Sequence, residues 1–147
     1  MLYLYPDLLT KKHLERLTKL EKFIPYFDLP LQHASATLLK AMGRFYNHEM
    51  TLELLDFIKQ KFPERFVRTN FIIGFPGETE EDFQETLKLT EYGRFDMIYM
   101  GIYSNRPGTF ADRKYPDDIP YAVKHERRSR LNELLHRISE ENNQQEI

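Results

Sequence analysis

Residues 66–73, Phe-Val-Arg-Thr-Asn-Phe-Ile-Ile, alternate from side to side as a strand does, and they run without a spacer into Gly74-Phe75-Pro76-Gly77-Glu78. Thr79 then offers a helix cap, and Glu81 and Asp82 suit the positive end of the helix dipole. Phe83 and Leu87 give that helix an apolar stripe, Gly93 ends it, and residues 95–103 read as a further strand. Strand, tight turn, capped helix, strand is the signature of a parallel β-α-β unit. It excludes hairpin-built and all-helical folds.

The same alternation runs along the whole chain. Leu2-Tyr3-Leu4-Tyr5 reads as an opening strand ended at Pro6-Asp7. Thr10 caps a helix bearing Leu14, Leu17 and Leu20, and residues 26–31 form the next strand. Ser35 caps a short helix with Leu38, Leu39 and Met42 that Gly43 ends. Leu52, Leu55, Ile58 and Phe62 mark a second helix, stopped by Pro63. After the loop at 104–108, a last helix from about Pro120 places Leu131, Leu134, Leu135 and Ile138 on one face. The predicted order is β-α-β-α-α-β-α-β-loop-α, one unit over residues 1–147 with four parallel strands. An α/β fold follows, either an open doubly wound sheet or a partial (β/α) barrel, and periodicity does not choose between them.

The strand faces add a hint. Val67, Thr69, Phe71 and Ile73 share one face with Phe27, Leu29 and Leu31 as its partner set; Arg68, Asn70 and Ile72 share the other, as do Asp28 and Gln32. Charge in mid-sheet is costly unless paired or bound to something. A barrel lumen holding a polar ligand explains both strands; a purely stabilising Arg68–Asp28 pair is the plainer alternative.

Composition closes off several classes. Lys plus Arg is 21 and Asp plus Glu is 23, a net charge of −2, against a strongly basic nucleic-acid module. There is no cysteine, so this chain has no disulfide, thiolate nucleophile or Cys-ligated cluster of its own. No apolar run approaches a membrane span, and no secretory pattern opens the chain, which points to the cytoplasm and no membrane partner. Met1 leads at once into a strand, and residues 140–146 are polar, as in a helix leaving toward a following domain. The chain therefore reads as the later part of a longer polypeptide.

Ligand sites in parallel β/α folds lie at the carboxyl ends of strands. Three unusual stretches fall there: residues 30–35 (Pro-Leu-Gln-His-Ala-Ser), 74–79 (Gly-Phe-Pro-Gly-Glu-Thr) and 103–109 (Tyr-Ser-Asn-Arg-Pro-Gly-Thr). The glycines permit close backbone approach, yet the P-loop Lys and spacing are missing and Glu78 would repel phosphate. A turn fixed by a capping acid is the competing reading of 74–79. His33 fits a structural histidine as well as a ligand, and no two histidines have metal-binding spacing. Lys124, Arg127, Arg128 and Arg130 read as a solvated helix face.

Taken in order, these stretches resemble the radical SAM methylthiotransferases. The resemblance rests on residues 2–6 (Leu-Tyr-Leu-Tyr-Pro), 26–35, 39–44 (Leu-Lys-Ala-Met-Gly-Arg), 68–83, 94–96 and 103–109, nearly the whole chain. Asp28, His33 and the opening residues resemble the branch that modifies an aspartate of ribosomal protein S12, which is favoured. Residues 103–109 resemble the Y-S-x-R-P-G-T of the branch that modifies isopentenyladenosine in tRNA. The family likeness implies the later half of a radical SAM barrel around S-adenosylmethionine (SAM) and a 4Fe-4S cluster whose cysteines lie upstream. It implies SAM-binding roles for Gln32, His33 and Ser35 near the ribose or amino-acid part, and for Arg68 at the carboxylate. Ile72, Ile73, Gly74 and Phe75 fall near the adenine and Tyr103 at its edge. It implies reductive cleavage of SAM to a 5′-deoxyadenosyl radical and methylthio insertion, with ribosomal protein S12 or tRNA as substrate, an electron-donor protein as partner and a monomeric state. No catalytic side chain and no metal ligand is expected within this segment, so the piece alone is expected to be inactive. A non-catalytic half-barrel and an acid–base enzyme using His33 and Glu78 are the rival readings.

Overall fold

The computed structural model describes residues 4–145. The elements run α1 (Lys11–Leu17), β1 (Tyr26–Gln32), α2 (Ala36–Ala41), α3 (His48–Lys61), β2 (Phe66–Ile73), α4 (Glu80–Gly93), β3 (Met97–Ile102), α5 (Phe110–Lys114) and α6 (Tyr121–Gln145). The three strands form one parallel sheet in the order β1-β2-β3, with Arg68 opposite both Asp28 and Met97.

Helices start where side-chain oxygens take up free backbone N–H groups. Thr10, Ser35, Asn47, Thr79 and Thr109 each accept from a first-turn amide. At the end of α4 the left-handed residue is Arg94, at φ 48, and not Gly93. Gly93 serves a different purpose: a Cβ there would lie 2.5 Å from the ring of Phe95, which packs under the helix end. The core lies between the sheet and the helices. Phe27, Leu29, Leu31, Val67, Phe71 and Ile73 are fully buried on this side against Leu55, Ile58, Phe83, Leu89 and Leu131. The face division expected from alternation in β2 is the one observed.

β1 is irregular at Pro30, which has no N–H to donate, and its register against β2 shifts between Leu29 and Gln32. Thr69 repairs the gap. Its hydroxyl donates to the Leu29 carbonyl at 2.7 Å and accepts from the Leu31 amide at 3.5 Å. Thr69→Val keeps the shape and strands both backbone groups in the core. Urea denaturation is expected to show a loss of about 1–2 kcal/mol.

The described residues add detail at three places. The described residues hold three strands; Leu4 donates to the Asp28 carbonyl of β1, and the amides of Leu8 and Leu9 close back on Tyr5 in a turn. Leu2 and Tyr3 of the expected strand lie outside the described residues. A five-residue helix, α5, follows the loop at 104–108, because Thr109 caps a turn that Asp112 ties back to Gly108 and Asn105. Residues 140–145 are helical, and Arg94 holds this part of α6 through Asn142 and Glu141. No helix among the described residues is long and apolar enough to cross a membrane.

Candidate functional site: a polar cavity at the strand ends

The solvent-side face of the sheet ends in a cavity of about 780 Å³. Gln32, Asn70, Ile72, Tyr99, Gly101 and Tyr103 line it from the strands and their ends, with Arg106 and Arg128 at the side. Gln32 reaches it by a left-handed backbone turn, φ 62, rare for a side chain other than Gly, Asn or Asp. Its amide donates to the Asn70 side-chain oxygen at 3.1 Å. That bond uses the Gln32 amide N–H and the Asn70 side-chain oxygen, and both residues line the cavity. Ile72 and Gly101 are partners across β2 and β3, so the absent Gly101 side chain leaves a flat apolar floor between Ile72 and Tyr99. A Cβ at Gly101 would meet only ordinary contacts, at 3.7 Å.

Behind the strand ends lies a buried ionic network. The Glu78 carboxylate accepts from the Gly74 amide at 2.9 Å, contacts the His33 Nε2 at 3.2 Å and accepts from Arg127 at 2.7 Å. Arg127 also donates to the Glu78 carbonyl at 3.1 Å. His33 accepts from the Ser35 amide, and the Ser35 hydroxyl donates to Asp82 at 2.6 Å. One carboxylate thereby clamps the ends of β1 and β2 and the start of α6 together. Burial alone would raise the Asp82 carboxyl. The hydrogen bonds from Ser35 and from the Thr79 amide and hydroxyl outweigh it and hold Asp82 below the usual carboxylate range. A folded-state value below the unfolded one means stability is present above about pH 4 and is lost as pH falls through the folded value. An acid titration of unfolding free energy is expected to show a shallower loss in Asp82→Asn than in the parent.

Of the residues singled out in the sequence, Gln32, Ile72 and Tyr103 line the cavity. Arg68 is on the same face, half-buried, with its guanidinium 3.5 Å from Asp28. His33, Ser35, Ile73 and Gly74 belong to the layer behind the strand ends, and Phe75 packs edge-on against Tyr103 at 5.1 Å. Both Lys124 and Arg127 are buried, which corrects the solvated-face reading. Lys124 packs over Gly74 and pairs with Asp117 at 2.6 Å. Periodicity held the signal, since 124 and 127 lie seven and four residues before Leu131 on its own stripe. Asn70, Tyr99, Gly101 and Arg128 were not foreseen as cavity residues. The acid–base reading of His33 and Glu78 loses support, because the pair is sealed from solvent, at 2% and 0% side-chain exposure.

Known proteins place this architecture. Over 92% of the chain, the structure superposes on Escherichia coli coproporphyrinogen III oxidase (HemN), a radical SAM enzyme, with a TM-score of 0.76 at 21% identity, covering 31% of that chain. Over 68% of the chain it superposes on a radical SAM methyltransferase, TsrM, from Kitasatospora setae, with a TM-score of 0.56 at 16% identity and 19% of that chain covered. In sequence, the chain is 45% identical over 109 residues to the ribosomal protein uS12 methylthiotransferase RimO of Pseudothermotoga lettingae, 74% of this chain and 25% of that protein. It is 48% identical over 120 residues to a tRNA-2-methylthio-N(6)-dimethylallyladenosine synthase from a Thermoanaerobacter species, 82% of this chain and 25% of that protein. The chain thus spans about a quarter of the length of these relatives. Residues 3–90 match the radical SAM superfamily model, more than half of the chain, and the protein belongs to the radical SAM superfamily.

Proposed function

We propose that this chain is the SAM-holding later half of the barrel in a radical SAM methylthiotransferase. The observation that supports it is the polar cavity at the carboxyl ends of three parallel strands, in a chain whose relatives include methylthiotransferases of two kinds. The residues fit SAM. The Ile72–Gly101 floor accepts a flat adenine, with the edge of Tyr103 beside it. Gln32 and Asn70 offer an acceptor and donors to ribose hydroxyls. Arg68, the cation on the same face of the sheet beside Asp28, takes the carboxylate by a charge-assisted bond. His33, Ser35, Ile73, Gly74 and Phe75 act from behind, by fixing the loops that bear these groups.

SAM bound here supplies radical chemistry when an iron–sulfur cluster is present. This chain does not fit such a cluster: it has no cysteine, and the described residues hold no group of metal-ligating side chains. What the chain does is bind, orient and shield. The apolar floor and the Phe75–Tyr103 contact exclude water from one side of the ligand.

The finer reading is ribosomal protein S12 as substrate, supported by Asp28 and His33 in the 28–35 motif, with a protein electron donor, a monomeric enzyme and a cytoplasmic site. Residues 103–109 and Arg106 on the cavity support tRNA as the second reading. Mass spectrometry decides between them. The protein carrying this chain is expressed in a host lacking its own methylthiotransferases, and S12 and tRNA are both analysed. A methylthiolated S12 aspartate is expected. Methylthiolated adenosine alone selects the second reading, and neither product overturns the function.

A further inference from the structure

Residues 103–118 leave β3, pass through α5 and return toward α6, and on the way they supply Tyr103, Ser104, Arg106, Thr109 and Ala111 to the cavity wall. The segment is tied within itself. The Tyr103 hydroxyl donates to the Asn105 side-chain oxygen at 3.2 Å, the Asn105 amide donates to Asp112 at 2.7 Å, and the Gly108 amide donates to the same carboxylate at 2.9 Å. It is also fastened at three points to the elements behind the strand ends. Tyr115 meets the Phe75 ring edge-on at 5.9 Å. Asp118 accepts from the Gly77 amide at 2.8 Å. Both Asp117 oxygens accept from the Lys124 Nζ, at 2.6 and 2.8 Å.

Lys124 is the tie that reaches furthest. Its side chain is 4% exposed, and its stem lies against Gly74 in the space that a Cβ there would fill. Its Nζ also donates to the Tyr103 carbonyl at 3.3 Å and stands 5.3 Å from the centre of the Tyr103 ring. Burying an ammonium is costly unless its donors are used. Here three contacts use the three N–H donors, so none is left for a ligand. One cation therefore joins the end of β3, the 103–118 wall and the turn after β2, from behind the cavity. We propose that Lys124 is a positioning residue for SAM: it holds Tyr103 and the 104–111 wall at a fixed distance from the Ile72–Gly101 floor and does not itself touch the ligand. A lysine that only stabilised the fold would not need two of its three contacts on the cavity wall. The inference rests on the SAM reading of the cavity proposed above, while the fastening of the wall stands on the contacts alone.

The test uses the full-length protein carrying this chain. Equilibrium dialysis reads the affinity for SAM and for 5′-methylthioadenosine, which lacks the amino-acid part. Amide hydrogen exchange reads the hold on residues 104–118, and thermal unfolding checks the fold. Lys124→Met keeps the stem over Gly74 and removes the ammonium. It is expected to weaken both ligands by the same factor, about tenfold, and to speed exchange over 104–118. Asp117→Ala, at a side chain 30% exposed, is expected to act in the same direction and carries the test if Lys124→Met does not fold. The double variant is expected to lose no more affinity than Lys124→Met alone. Arg94→Ala loosens α6 at its far end; it is expected to lower the unfolding temperature and leave both affinities unaltered. Unaltered SAM affinity in a folded Lys124→Met, or a loss confined to SAM, overturns the positioning role. Failure of the unsubstituted protein to bind either ligand counts against the proposed function; the exchange then decides the fastening by itself, and unchanged exchange over 104–118 in Lys124→Met overturns it.

Discussion

Arg127→Met is expected to lower the unfolding free energy of the protein by about 3–5 kcal/mol, the usual cost of leaving a buried charge without its partner. The Glu78 carboxylate is fully enclosed and the Arg127 side chain is only 7% exposed, so water cannot replace the 2.7 Å contact. The same guanidinium holds the Glu78 carbonyl, so the substitution also strands a backbone acceptor. Met preserves most of the packing volume, so the loss reports the charge and not a cavity. Glu78→Gln together with Arg127→Met removes both charges and is expected to recover a large part of the loss. The check is urea denaturation of both variants; equal losses would show that Arg127 acts by packing alone.

The second large effect is at Gly74. Its φ of +72 already disfavours any side chain, and a Cβ would lie 2.3 Å from the Lys124 Cγ. Lys124 cannot swing aside, because its Nζ is held by both Asp117 oxygens and the Tyr103 carbonyl. Gly74→Ala is therefore expected to cost about 2–4 kcal/mol, the left-handed strain plus overpacking. Gly77 is an internal control. It has φ +80 with nothing within 4 Å of a Cβ, so Gly77→Ala is expected to cost only the strain, about 1–2 kcal/mol. Equal losses at the two positions would contradict the Lys124 contact.

How much of this was legible in the sequence follows from what sets each feature. β2 and the helix behind it were legible because alternation, a turn and a cap all agree within residues 66–83. The polar face of the sheet was legible for the same reason, through Asp28, Arg68 and Gln32. The turn after Tyr5 was legible too, at Pro6-Asp7, where the Tyr5 carbonyl accepts from Leu8 and Leu9. The split between cavity and support at residues 32–35 was not legible. It depends on the left-handed turn at Gln32, which sends that side chain to the cavity while His33 goes to Glu78. Gly101 carried no local signal: a glycine in a strand shows its meaning only beside Ile72 and Tyr99.

The central claim is that the cavity over Gly101 holds SAM. The measurement is equilibrium dialysis of SAM against the full-length protein and its Gly101→Leu variant, with thermal unfolding of both. Leucine enters a strand position with only 3.7 Å neighbours, so folding is expected to be retained, while its side chain occupies the adenine floor. The account predicts at least a tenfold loss of SAM affinity at an unchanged unfolding temperature. Wild-type SAM affinity in a folded Gly101→Leu protein would contradict it.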